Sequence, residues 1–468
     1  MRIHTYKLVI RNIFEVAWGS KTVTTSELQS SVRHHVLNRN LPLWPLYIFG
    51  LIILCIRTPF AIVHGAIWAE DGTIFLRYAR ESSPLRALFA PHQGYYSLVP
   101  NLCGLLTARI FPLEQAAHIC VATELAVEML LVYMLVQCER IPGFWKKALA
   151  VVVIVLSPPT MSIALDTLNA QFYLAVMTGV ILISEAERLR FPRILSLLLA
   201  GLNGTLSCLF LPFFLWRAWK EGTRSRIAQA AVLSICTLVQ LVAVLHLYDR
   251  RVIMTAGSLS KASYFAGSVL ANGPVHQFLG LRSLIEMCRA VGSPKLQHWQ
   301  TVWWSTLEVG AVLYMITFCL LLWKQGWVTR ALGTVAILTL VLVEVRGGAV
   351  NSDLMCGAGP HYFYVFNLLS ALALLLVAFN SSKVLSRAMI PLIAAVVLSG
   401  LVDLYYSVGH HDRPIWSQEI AKWRADPDYR PRILPNTWPG VRIARTPGDS
   451  SGLPFEIYDS TVAGWEER

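Results

Sequence analysis

The chain has 468 residues, of which 55% are apolar and only 15% are charged, and its mean hydropathy is +0.52. A soluble domain is usually about one-quarter charged, so this composition excludes an ordinary soluble protein and predicts a polytopic α-helical membrane protein. The net charge of +12 does not predict nucleic-acid binding, because the basic residues lie mainly in short segments between apolar blocks. The nine cysteines include no CxxC pair, so no zinc or dithiol redox site is predicted.

The first 42 residues are polar and basic, and no secretory signal pattern precedes the first apolar block. We therefore expect residues 1–42 to be cytoplasmic and residues 43–64 to form a first span that acts as a retained signal anchor. Blocks of about 20 apolar residues are long enough to cross the hydrocarbon layer. Such blocks predict further spans at 114–137, 148–165, 169–183, 227–247, 301–323, 331–345, 361–379 and 388–406.

Two apolar segments are predicted not to cross the membrane. Residues 97–111 are interrupted by Pro100, Asn101 and Gly104; they could form a short span, but a helix along the outer surface is favoured because it keeps the Arg140–Lys147 loop on the cytoplasmic side. Residues 194–216 have basic residues at both ends and Asn203-Gly204 at the centre, which predicts a re-entrant hairpin that opens to the cytoplasm. With these two assignments, every short basic loop lies on the cytoplasmic side.

The predicted fold is an all-α bundle of about nine to eleven transmembrane helices over residues 43–406, from the span length and the basic loops. It has outer loops at 64–113 and 248–300, and residues 407–468 form an extracytoplasmic C-terminal tail.

The first outer loop carries the main chemical signal, the adjacent acids Glu70 and Asp71. A carboxylate held close to hydrocarbon has a raised pKa and suits a general base. The alternative is a solvated loop in which Asp71 caps a helix starting near Thr73. Trp68, Tyr95 and Tyr96 share this loop, where aromatic rings suit sugar stacking but also suit an interfacial belt.

The segments Trp68-Ala69-Glu70-Asp71-Gly72-x-x-Phe75, Gly94-Tyr95-Tyr96-x-Leu98-x-Pro100 and Phe111-Pro112 resemble bacterial glycosyltransferases of the GT-C superfamily. Further similarity lies in Asn169-x-Gln171, in Gly201-Leu202-Asn203-Gly204, and in Gly359-Pro360-His361-Tyr362, where His361 replaces the arginine of a Gly-x-Arg-Tyr motif. The tail from Trp416 to Trp438 is similar to the small outer segment of these enzymes. The resemblance implies a GT-C-like bundle with juxtamembrane helices in the first outer loop.

The resemblance also implies an inverting transfer of a sugar from a polyprenyl-phosphate donor to a glycan or lipid acceptor at the outer face of the bacterial cytoplasmic membrane. Asp71 would take the proton of the acceptor hydroxyl and Glu70 would orient the acceptor, or the two roles would be exchanged. Asp166 would bind sugar hydroxyls or simply cap the helix that follows it. The predicted substrate-binding residues are Trp68, His92, Tyr95, Tyr96, Asp166, Asn169, Gln171, Arg250, Arg251, Arg282, Arg346, His361 and Tyr362.

Arginine suits the donor phosphate because it pairs with phosphate in a bidentate way, whereas His361 would do so only when protonated. No cofactor is predicted. A divalent cation is not implied, although Glu70, Asp71 and His92 have suitable donor atoms. The expected partners are the lipid-linked sugar donor, the acceptor and membrane lipids, with no nucleic acid.

Two other functions stay open at this point. A lipid-linked glycan transporter or flippase would use intramembrane acids, for which Glu124, Glu128 and Glu308 are the candidates. An O-antigen polymerase or ligase would instead use the large outer loop at 248–300.

Overall fold

The computed structural model describes residues 41–92, 94–158, 165–185, 190–246, 269–280, 300–323, 325–347, 363–408, 413–426, 428–434, 440–441 and 443. The cytoplasmic segment predicted at 1–42 and the large outer loop predicted at 248–300 lie mostly outside this part. The same holds for five predicted substrate-binding residues and for the side chain of a sixth. These are Arg250, Arg251, Arg282, His361 and Tyr362, and the side chain of Arg346.

The described residues are helical and contain only isolated β-bridges, without a strand. We number the α-helices in chain order. They are α1 (Trp44–Arg57), α2 (Pro59–His64), α3 (Arg77–Glu81), α4 (Pro84–Phe89), α5 (Leu98–Arg109), α6 (Ala116–Gln137), α7 (Phe144–Leu156), α8 (Ala170–Ile183), α9 (Arg190–Gly201), α10 (Leu211–Glu221), α11 (Arg224–His246), α12 (Gln300–Trp323), α13 (Trp327–Gly347), α14 (Tyr364–Asn380), α15 (Lys383–Val408) and α16 (Trp416–Ala425). Two π-helical turns, Asp71–Leu76 and Ala271–Val275, and three 3-10 turns, Leu113–Gln115, Thr167–Asn169 and Leu206–Phe210, complete the order.

Three helical stretches in the described part are long and apolar enough to cross a membrane, namely Leu113–Gln137, Arg224–Leu245 and Lys383–Tyr405. The second of these exposes a row of large aliphatic side chains that includes Ile235 and Leu238, as a lipid-facing helix would. The structure confirms that the described part is all-α and that three of its helical stretches have the length and apolar composition that a membrane span needs. The number of spans and the GT-C-like arrangement stay predictions.

The predicted first span is divided into α1 and α2 at Thr58. The residue before a proline is pushed out of helical geometry, and Thr58 precedes Pro59 with φ −136° and ψ 59°. The predicted span at 148–165 is shorter than expected, since α7 ends at Leu156 and an extended Ser157 precedes Pro158. Proline thus sets both helix ends.

The contacts at the two ends of residues 194–216 show the predicted hairpin shape, while its entry into a membrane and its opening to the cytoplasm stay predictions. Arg193 in α9, Arg217 in α10 and Arg226 in α11 all donate to backbone carbonyls at the C-terminal end of α8. Cations are stabilised at this end of a helix. The start of the first arm, α9, and the end of the second arm, α10, therefore lie at the same end of α8.

The tip of the hairpin reaches the first loop. Gly204 has φ +83°, a conformation that favours glycine, and its N–H donates to the Tyr96 carbonyl at 3.0 Å. The side-chain oxygen of Asn203 accepts from the Val99 N–H at 3.0 Å. These bonds fix the tip beside α5, whose 12 residues extend about 18 Å, too short to cross ~30 Å of hydrocarbon.

The C-terminal segment packs on the same loop. Trp416 is 2% exposed and its indole N–H donates to the Leu113 carbonyl at 2.8 Å. The Leu434 N–H donates to the Ile67 carbonyl at 2.9 Å. This contact places the first loop and the tail on one side of the bundle, as the predicted topology requires.

Candidate functional site

The candidate site is centred on Asp71, the first residue of the π-helix Asp71–Leu76. Its carboxylate is 2% exposed and accepts hydrogen bonds from the Thr167 hydroxyl and, at 3.3 Å, from the Thr167 N–H. Asp71 therefore does not cap a helix, and the alternative of a solvated capping loop is wrong. The carboxylate instead joins the first loop to the turn before α8.

Asp166 is the carboxyl partner of Asp71. It is 5% exposed and its side chain is hydrogen-bonded to that of Asp71. Its oxygens also accept from the Leu168 N–H at 3.1 Å and from the Asn169 amide at 2.9 Å. The capping role predicted for Asp166 is confirmed, and its pairing with Asp71 was not predicted.

The environment gives the two acids different proton affinities. Burial raises the pKa of Asp71 to about 6, while hydrogen bonds from Thr167 and Asp166 hold it down and the charge of Glu70 raises it further. Burial and the negative charge of Asp71 raise the pKa of Asp166 well above its ordinary range. At neutral pH Asp71 is therefore mainly ionised, and its negative charge favours the protonated form of Asp166. Two linked acids in unequal environments suit acid–base chemistry.

Irregular backbone flanks both acids. Leu165, directly before Asp166, is fully buried with φ 60°, and it is the one non-glycine residue with positive φ in the described part. The π-helix at Asp71 is the second irregularity. Single-turn π-helices and residues held in the left-handed region both concentrate at functional sites.

Glu70 and Asp71, which are predicted to be adjacent catalytic acids, have different surroundings, and their catalytic roles stay predictions. Glu70 is half-buried, whereas Asp71 is buried against Thr167 and Asp166. Glu70 influences Asp71 through its charge. The structure thus distinguishes the two neighbours, which the sequence does not.

Close packing of α5 holds the π-helix in place. A β-carbon at Gly104 would lie 2.7 Å from the Phe75 carbonyl oxygen and 2.8 Å from its carbon, both backbone atoms. Gly104 therefore permits an approach of the two helices that a larger residue would prevent.

We expect Gly104→Ala to push α5 away from the π-helix and to destabilise the protein by about 1–3 kcal/mol, the usual cost of overpacking. Thermal unfolding of the purified protein in lipid nanodiscs measures this loss. Gly326→Ala is the matched control, because its β-carbon meets nothing within 4 Å. Equal unfolding temperatures for the two variants would contradict the close contact.

Three predicted substrate-binding residues, Tyr95, Tyr96 and Gln171, take part in hydrogen bonds between the first loop and the bundle. The Tyr95 hydroxyl accepts from the Gln171 amide at 3.1 Å, and both tyrosines are buried. Gln240 in α11 bonds the backbone N–H and carbonyl of Tyr96, at 3.0 and 2.9 Å. These side chains connect the loop to the bundle. Two other predicted binding residues are less accessible than a solvated loop would make them, since Trp68 is half-buried and Asn169 is 6% exposed. Their binding role stays a prediction.

His92 lies between two rings in the first loop. Its imidazole makes edge contacts with Phe75 and Tyr78, at centroid distances of 5.3 and 4.9 Å. Burial lowers the pKa of His92 to about 4, so the ring is neutral at pH 7. Within the described ranges, no group of three or more His, Cys, Asp or Glu side chains is arranged to hold a metal ion.

The comparisons with known proteins found no similarity. No family model matches the chain, and neither the curated proteins nor the solved structures contain a significant match.

Proposed function

We propose that this protein is an inverting membrane glycosyltransferase that moves a sugar from a polyprenyl-phosphate donor to a glycan or lipid acceptor. One observation carries the proposal. The buried carboxylate of Asp71, in the loop that packs on the C-terminal tail, is hydrogen-bonded to Thr167 and to a second buried carboxyl, that of Asp166. Burial raises the pKa of Asp71 to about 6. A general base is most effective when its pKa lies near the working pH.

In the proposed reaction, the acceptor hydroxyl attacks the anomeric carbon of the donor sugar. The O–H bond breaks and its proton passes to Asp71 as the new C–O bond forms. The bond between the anomeric carbon and the phosphate oxygen breaks, and the lipid phosphate leaves with the electron pair. Attack from the face opposite the phosphate inverts the configuration. The bond from Thr167 fixes Asp71 in position for this transfer.

The proposal also covers how the donor and the acceptor reach the site and which residues bind them. The donor enters from the membrane and the acceptor from the outer side of the bacterial cytoplasmic membrane. Outer arginines such as Arg250 and Arg346 bind the phosphate, and the loop aromatics bind the sugar.

Mass spectrometry of surface glycans tests the proposal. Cells that express the protein are expected to carry glycans or lipids heavier by one sugar than cells that lack it. Cells that express Asp71→Asn at the same level are expected to match the cells that lack the protein. Identical glycan masses with and without the wild-type protein, under conditions in which the protein is present in the membrane, would contradict the proposal.

A transporter or flippase is the second candidate, because one observation favours it. Glu124 is a fully buried acid inside the membrane-crossing helix α6, and neither of its oxygens has a hydrogen-bond partner among the described residues. Intramembrane acids of this kind often mark ion pathways. If the protein is a transporter, Glu124→Ala abolishes its cellular effect and Asp71→Asn does not, whereas a transferase requires Asp71. A polymerase or ligase role would rest on residues 248–300, most of which lie outside the described part.

A further inference from the structure

A group of buried polar side chains lies beside the aspartate pair, within the helical bundle. Arg57 at the end of α1 bonds both oxygens of Glu128 in α6 at 2.5 Å and the Val155 carbonyl of α7 at 3.2 Å. Its guanidinium lies 5.9 Å from the ring centroid of Tyr173, which packs edge-on against Tyr364 of α14. Five helices, α1, α6, α7, α8 and α14, thus meet around one ion pair.

Glu124 is one helical turn from Glu128 on the same face of α6, but no cation among the described residues is hydrogen-bonded to it. It is 0% exposed, and both of its oxygens lack hydrogen-bond partners within the part of the chain that the structure describes. An ionised carboxylate that is buried without a partner costs several kcal/mol. The carboxyl of Glu124 is therefore expected to hold a proton.

The surroundings of Glu124 connect it to the candidate site. The charged groups within electrostatic range are Glu128, Asp166, Asp71 and Arg57, and Tyr364 faces it from α14. Cys120, one turn earlier in α6, is also within range of both aspartates. The aspartate pair therefore lies alongside α6 at the level of residues 120–124. Asp71 and Glu128 are negative neighbours of Glu124, and Arg57, which is ion-paired with Glu128, is a positive one.

We infer that Glu124 is an intramembrane proton-binding site whose occupancy is linked to the charge of the Asp71–Asp166 pair. The three carboxyls titrate as one unit, in which a negative charge on Asp71 keeps the proton on Glu124. When Asp71 becomes neutral, the proton on Glu124 is held less tightly. This linkage does not depend on the reaction proposed for Asp71.

Infrared difference spectroscopy of the purified protein in lipid tests the inference. Near neutral pH, Glu124→Gln is expected to remove one carbonyl band of a protonated carboxylic acid from the wild-type spectrum, and Glu124→Asp is expected to move that band. Glu114→Gln is the control, because Glu114 is 36% exposed and is paired with Arg424 at 2.7 Å. It is expected to remove no such band.

The linkage is measured in Asp71→Asn. Loss of a neighbouring negative charge is expected to move the pH at which the Glu124 band disappears to a lower value. The inference is overturned if Glu124→Gln removes no band, or if Asp71→Asn leaves the titration of that band unchanged. Neither result depends on sugar transfer, so failure here is separate from failure of the proposed function.

Discussion

Asp71→Asn is expected to lower the rate of sugar transfer by about 10²–10⁴-fold, the usual contribution of a general base. The asparagine has nearly the same shape and its amide oxygen can still accept the bond from Thr167, so the fold is expected to persist. The measurement is the initial rate of transfer in right-side-out membrane vesicles that contain the cells' own lipid-linked donors. Reduced rate with unchanged protein level and unfolding temperature is the expected result.

Asp428→Asn is the matched control for this substitution. Asp428 lies in the exposed part of the C-terminal segment, on the same side of the bundle as Asp71. We expect this variant to transfer sugar at the wild-type rate. A similar loss in both variants, or full activity in Asp71→Asn, would exclude Asp71 as the base.

Trp416→Ala is expected to destabilise the protein by about 3–5 kcal/mol, as truncation of a buried tryptophan usually does. The indole fills a core shared by the tail and the first loop, and its N–H bonds the Leu113 carbonyl. Gly72, next to Asp71, contacts the same segment, because a β-carbon there would lie 2.7 Å from Val441. Loss of the tail contact is therefore expected to lower sugar transfer as well.

The comparison that isolates this effect is Trp219→Ala. Trp219 is 82% exposed, and its removal is expected to leave the unfolding temperature of the purified protein nearly unchanged. If Trp416→Ala unfolds at the same temperature as Trp219→Ala, the tail does not stabilise the first loop.

Much of the helical framework could be predicted, because membrane-crossing helices are encoded locally by apolar length and flanking charge. The span predicted at 114–137 appears as the 3-10 turn Leu113–Gln115 and α6, and the hairpin at Asn203-Gly204 appears where its flanking arginines placed it. The helix ends at Thr58 and Leu156 were missed, because the effect of a following proline was outweighed by the continuous apolar run.

The site could be predicted only in part. Asp71 and Asp166 were both named as candidates from the sequence, but their hydrogen bond to each other and the bond of Asp71 to Thr167 were not predicted. Thr167 is 96 residues away in sequence, and such contacts depend on tertiary packing that helix periodicity does not encode. One available signal was the short turn at residues 166–169, which the topology already placed on the same side as Asp71.

The pH dependence of sugar transfer in wild-type protein and in Thr167→Val tests the central claim most directly. Asp71 accepts a proton only when ionised, so the rate is expected to rise with pH around a midpoint near 6, the pKa of the buried carboxyl. The Thr167 hydroxyl stabilises the ionised form, and a hydrogen bond to a charged group contributes about 1.5 kcal/mol. Its loss is therefore expected to move the midpoint up by about one pH unit. A rate that does not change between pH 5 and pH 7, or a Thr167→Val profile that coincides with wild type, would contradict the assignment of Asp71 as the base.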